Sequence, residues 1–94
     1  MRVYISGAIT GVSNYKEIFA KAEEELKGEG YEVINPTSFD NTLPQLSYEE
    51  YMKLDLCLLE MCDAIYMLKG WKKSCGANRE YGYAIAKDYI VLEG

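Results

Sequence analysis

Four short apolar runs alternate with three segments of helical periodicity in this chain, and that alternation leaves few folds open to it. The runs cover residues 2–6, 31–35, 64–68 and 89–92. Each is too short for a stable helix and is rich in residues that suit a pleated, half-buried surface. Between the first two, Tyr15, Ile18, Phe19, Ala22 and Leu26 recur at three- and four-residue spacing. This predicts an amphipathic helix that Gly28 and Gly30 bring to an end. Asn14 with Glu17, and Ser47 with Glu50, have the spacing of a capping box. The second box opens a helix over residues 48–61, with Tyr51, Leu54, Leu58 and Met61 as its apolar stripe. A third helix follows the turn at 69–76, and Asp88 leads from it into the last run.

The order β-α-β-α-β-α-β predicts an α/β fold of three layers, α/β/α, with a four-stranded parallel sheet and right-handed crossovers. All 94 residues belong to one such domain, 1–94. In sheets of this kind a ligand sits beyond the carboxyl ends of the strands, where the winding reverses. The loop 7–13, the long loop 36–47 and the turn 69–76 then meet at one mouth.

A net charge of -5 supplies no basic face for a nucleic-acid polymer. A small nucleotide stays open, since a helix N-terminus holds one phosphate without a basic patch. With no histidine in the chain, acid–base work falls to Asp, Glu, Tyr, Cys or Lys, and a His-ligated metal site is excluded. No dinucleotide fingerprint or phosphate loop is present, and no metal or cofactor is expected. Cys57, Cys62 and Cys75 form no CxxC pair and fit a reducing compartment. Cys57 and Cys62 fall in an apolar pattern and are expected in the core. Cys75 has no base beside it and is not expected to be a catalytic thiol. The chain has no apolar run near ~20 residues and no signal-peptide pattern at its start, so the expectation is a cytoplasmic protein with no membrane partner.

The richest stretch is 70–80. Ser74 and Gly76 stand where a strand turns into a helix, a setting that leaves backbone N–H groups free to face an anion. Six residues after Ser74, on the second turn of that helix, comes Glu80. An anion seat beside a carboxylate suits a sugar phosphate attacked at its anomeric carbon; it is equally the pattern of an ordinary helix start with a solvated glutamate. Asp55 is flanked by apolar positions on the second helix, and a buried carboxylate needs a partner or a task. Glu80 and Asp55 together have the logic of retaining glycoside chemistry, one carboxylate attacking and the other handling a proton. Tyr4, in a central strand, is placed to orient the nucleophile. Asp63 reads as the start of a strand. Tyr66 and Trp71 offer rings for a base to stack on.

These residues form an ordered set. Val3-Tyr4-Ile5-Ser6-Gly7-x-Ile9-Thr10-Gly11, then Asp55-Leu56 with Asp63 eight residues on, then Ser74-x-Gly76-x-x-x-Glu80-x-Gly82-x-Ala84, resembles the nucleoside 2-deoxyribosyltransferase superfamily over nearly the whole chain. It is most similar to small, functionally unassigned phage and bacterial members and to the 2′-deoxynucleoside 5′-monophosphate N-hydrolases. The resemblance implies a flavodoxin-like winding, Glu80 as the nucleophile at C1′, Tyr4 as its orienting phenol and Asp55 as the group that handles the leaving base's proton. Ser6, Gly7, Ile9, Thr10, Gly11, Trp71, Ser74 and Gly76 are the candidate substrate contacts. Ser74 stands where base-exchanging members carry an Asp and the monophosphate hydrolases a Ser, which leans towards a nucleotide. Thr10 departs from the hydrolases' Arg, and the sequence stops at Gly94, where family members extend into a neighbouring subunit's site. The expected function is cleavage of the N-glycosidic bond of a (deoxy)nucleoside 5′-monophosphate or related nucleotide, by hydrolysis rather than base exchange. The rival expectation is a protein that binds such a nucleotide, as in sequestering a signal, without turning it over. In either case the partner is a small nucleotide or nucleoside. A homodimer or higher assembly is expected, with the tyrosine-rich second helix at the interface.

Overall fold

The first strand, β1 (Arg2–Ser6), is the centre of the architecture. It pairs in parallel with β2 (Glu32–Ile34) on one side and with β3 (Ala64–Met67) on the other; β4 (Ile90–Glu93) extends the sheet beyond β3. The computed structural model describes residues 1–94. The strand order β2-β1-β3-β4 is a flavodoxin-like winding, all parallel, whose direction reverses between β1 and β3. Helices α1 (Tyr15–Gly28), α2 (Tyr48–Glu60) and α3 (Cys75–Ala86) make the crossovers.

Side chains alternate across the strands and so divide the core into two layers. Val3, Ile5, Ala64 and Leu68 pack with Phe19, Ala22 and Leu26 of α1 on one face. Tyr4, Ile65 and Met67 pack with Leu58, Leu59, Ala77 and Ala84 of α2 and α3 on the other. Tyr66 belongs to the α1 side, so it does not offer its ring to a base at the mouth.

The capping box at Ser47 and Glu50 forms in both directions, at 2.8 and 3.2 Å. The one expected at Asn14 does not: that residue has φ -107° and ψ 29° and makes no side-chain capping bond, because a capping side chain needs extended backbone. The helix faces also differ in part from expectation. In α1, Ile18 is exposed while Phe19, Ala22 and Leu26 are buried. In α2 the buried residues are Met52, Leu58 and Leu59, and Met61 lies past the helix end and is exposed. Cys57 is exposed rather than in the core, since it stands two residues from the inward Asp55 and turns to the other side of the helix. Within the loop 36–47, Pro36–Phe39 forms a 3-10 turn capped by Asn35, whose side chain accepts from the Thr37 N–H.

One glycine matters to the mouth. A Cβ on Gly7 would lie 2.7 Å from Leu68 Cδ1 and 2.9 Å from Leu68 Cβ. Only glycine lets the chain leaving β1 press against the end of β3, where the Leu68 N–H donates to the Ser6 carbonyl at 2.8 Å.

Candidate active site

Helix α3 turns Ala77, Glu80 and Ala84 towards the sheet. Two of these are small and apolar; the third is a carboxylate only 5% exposed. Facing it are Tyr4 and Ser6, two residues apart on β1 and therefore on the same side of the strand. The Tyr4 phenol donates to Glu80 Oε2 at 2.7 Å. The Ser6 hydroxyl donates to Glu80 Oε1 at 2.6 Å. Both donors are as deeply buried as the carboxylate, so each carboxylate oxygen has its own protein partner.

No cation assists. The ion pairs of the molecule are Arg2–Glu32, Lys27–Glu23 and Arg79–Glu49, none of which involves Glu80 or Asp55. Burial disfavours the charged form and pushes Glu80 up to about 7, against the lowering pull of the Ser6 and Tyr4 hydrogen bonds and with a smaller upward push from Asp55. Asp55 is itself pushed up to about 6, by burial first and then by the charge of Asp40. Tyr4 is held well above the ordinary phenol value by burial and by Glu80, so it stays a donor. A pair of carboxylates displaced upward by burial is the electrostatic pattern of groups that exchange protons near neutrality.

Glu80 and Asp55 both line a cleft of about 1290 Å³ at the carboxyl ends of β1 and β3. Gly7, Ile9 and Thr10 from the loop after β1 form one wall of it. Ser74 and Gly76 form the start of α3 within it. Ser74 caps the helix, its Oγ accepting from the Ala77 N–H at 3.1 Å. The N–H groups of Cys75 and Gly76 make no internal hydrogen bond. They are the free donors of the helix N-terminus, which carries a partial positive charge.

Three of the candidate substrate contacts lie elsewhere. Ser6 is 1% exposed and gives its hydroxyl to Glu80 instead of the cleft. Gly11, in the left-handed region at φ 79°, does not line the cleft, although Thr10 and Val12 on either side of it do. Trp71 packs on Tyr81, ring centroids 4.7 Å apart, because Gly70 at φ 85° turns the chain and the following 3-10 turn points the indole at α3. The cleft also recruits residues that the sequence reading did not single out. Asp40, in the long loop, accepts from the Tyr15 phenol at 2.9 Å. Lys16, Lys69 and Lys73 line the cleft. Tyr48 also stands at its edge, with Arg79 5.8 Å over its ring. Asp63 serves structure, its Oδ2 accepting from the Arg2 N–H at 3.1 Å.

No group of three or more Cys, Asp or Glu side chains is placed to hold a metal ion, and no helix is long and apolar enough to cross a membrane. Among curated proteins none matches the sequence. Among solved structures the chain is similar to a 2-deoxyribosyltransferase from Bacillus psychrosaccharolyticus, with a TM-score of 0.74 and 22% identity over 99% of this chain and 71% of that one. At this identity the likeness is one of fold. The family model described as a domain of unknown function, DUF4406, matches residues 1–92. The chain therefore belongs to the DUF4406 family.

Proposed function

We propose that this protein cleaves the N-glycosidic bond of a (deoxy)nucleoside 5′-monophosphate or related nucleotide through a glycosyl–Glu80 intermediate, with water as the acceptor. The observation that carries the reading is the buried Glu80 carboxylate, held at both oxygens by Tyr4 and Ser6 beside a second carboxylate, Asp55, in one cleft. The similar fold of a 2-deoxyribosyltransferase supports it. In the forward step a Glu80 oxygen bonds to C1′ while the C1′–N bond breaks, its electron pair leaving with the base and a proton arriving from Asp55. Water then attacks C1′, the ester bond breaks back to the Glu80 carboxylate, and Asp55 takes the water's proton. The free protein holds Asp55 less tightly protonated than Glu80. A bound base removes water from Asp55 and raises it further, and positive charge developing at C1′ favours ionised Glu80. Substrate thus drives the pair towards its working state.

The phosphate in this reading sits on the free N–H groups of Cys75 and Gly76, with Lys73 and Lys69 at the same turn. Ser74→Asp tests it with little risk to the fold, because aspartate caps a helix as well as serine does. The variant should bind a nucleoside monophosphate at least about tenfold more weakly while leaving the nucleoside's affinity unchanged. Calorimetric titration giving equal losses for both ligands would remove the phosphate from the proposal.

Assembly belongs to the same reading. Phe39 and Tyr48 leave apolar surface exposed beside the cleft, and a second copy covering it with α2 at the contact gives a homodimer. Light scattering should then return about twice the 10.7 kDa chain mass; a mass of one chain at micromolar concentration would count against it.

A further inference from the structure

We propose that Ser6 is a positioning residue for Glu80: by donating to Oε1 it fixes the rotation of the carboxylate and sets the pH at which the carboxylate ionises. Its consequence for turnover rests on the covalent reading above; its effect on the carboxylate does not.

The terminal torsion of a glutamate is soft, so one donor leaves the carboxylate free to swing about the oxygen it holds. Tyr4 alone is such a donor, on Oε2. The Ser6 bond at 2.6 Å to Oε1 removes the swing and fixes the plane that a substrate meets. At 1% exposure, Ser6 is beyond the reach of water that might take over its task. Its backbone is fixed as well, through the Leu68 N–H on its carbonyl. The charged and titratable groups around Glu80 are Tyr4 from β1 and Asp55 from α2. Lys16, Asp40, Lys69 and Lys73 line the same cleft. None of these cations pairs with Glu80. Two hydroxyls alone therefore oppose the effect of burial, and Ser6 is one of them.

The deciding measurement is the titration of the Glu80 side-chain carboxyl by carbon-13 NMR in wild type, Ser6→Ala and Ser6→Thr. Loss of a buried hydrogen bond to a charged group should move the midpoint up in Ser6→Ala by about one pH unit, tenfold in the ionisation constant. Threonine keeps a hydroxyl on the same Cβ and suits a strand, so Ser6→Thr should restore most of the wild-type midpoint. In turnover, the acid limb of the kcat/KM profile, which follows the free protein, should move with the midpoint in Ser6→Ala. A midpoint unmoved in Ser6→Ala, or moved equally in both variants, overturns the assignment. Absence of base release in wild type overturns the covalent reading alone, because the carboxyl titration still decides what Ser6 does.

Discussion

Glu80→Ala should abolish base release, by on the order of a thousandfold or more, while nucleotide affinity stays within about tenfold, roughly 1.4 kcal/mol. The asymmetry follows from what the side chain does in the proposed reaction. A nucleophile set against C1′ contributes to the transition state far more than to the bound ground state. Glu80→Gln keeps the shape, can still accept from Tyr4 or Ser6, and should be equally inactive and a more faithful binder than the alanine variant. Asp55→Asn should slow release most for bases that leave poorly without protonation. Base release is read by chromatography and affinity by calorimetry on the same preparations. If wild type and Glu80→Ala bind nucleotide equally and neither releases base from any common mononucleotide, the covalent mechanism is wrong for those substrates. Nucleotide sequestration then takes its place.

The second large effect is on stability. Unliganded protein should be more stable at pH 5 than at pH 8, by about 2.5 kcal/mol from Glu80. The sign follows from the folded carboxyl holding its proton more tightly than the unfolded one. In the unfolded chain Glu80 ionises near its ordinary value of 4.5, and in the folded protein only near about 7. Below 4.5 both states are protonated and nothing is lost. As pH rises through this window the unfolded chain sheds the proton first, so the folded state loses stability until about 7 and is then level. Asp55, up from 3.8 to about 6, acts in the same direction over a lower window. It is coupled to Glu80, so the two effects do not simply add. Glu23 has the opposite sense, held down first by its bond to Lys27; its contribution is present above 4.5 and is lost only as pH falls below that. Urea unfolding across pH 5 to 8 should therefore show a falling midpoint in wild type and a flatter line in Glu80→Gln. Stability that rises with pH, or a slope unchanged by Glu80→Gln, would contradict this account. A folded state that gains by discarding the charge of its own proposed nucleophile is the usual mark of a site kept for chemistry.

Much of this was legible in the residues because it is local. The strand and helix periods, the Ser47–Glu50 box and the gathering of three loops at one mouth all follow from short-range spacing and parallel winding. Asp55 was legible as inward-pointing from its apolar neighbours. Glu80 carried a comparable signal, since it falls on one line with Ala77 and Ala84, three residues after the first and four before the second. What was not legible depends on contacts between elements far apart in sequence. Strand alternation puts Ser6 on the same side as Tyr4, but its bond to Glu80 spans 74 residues and is decided by how α3 docks. Trp71 follows Gly70, and the backbone there sends the indole to Tyr81 on the next helix. Asn14 has the right residue for a cap and the wrong backbone. Asp40 was hidden in a loop with no period to read.

The alternation along β1 has one further consequence, for the accuracy of folding. Val3 and Ile5 face α1, and Tyr4 and Ser6 face Glu80. A slip of β1 by a single residue against its neighbours would exchange the two sets. Two aliphatic side chains would then meet a buried carboxylate with no donor, and two hydroxyls would be pressed against Phe19 and Leu26 without a partner. Each half of that error leaves buried polar groups unsatisfied. The residues that hold the proposed nucleophile thus also mark the correct pairing of the central strand, and a chain that mispairs there forfeits its structure and its chemistry together.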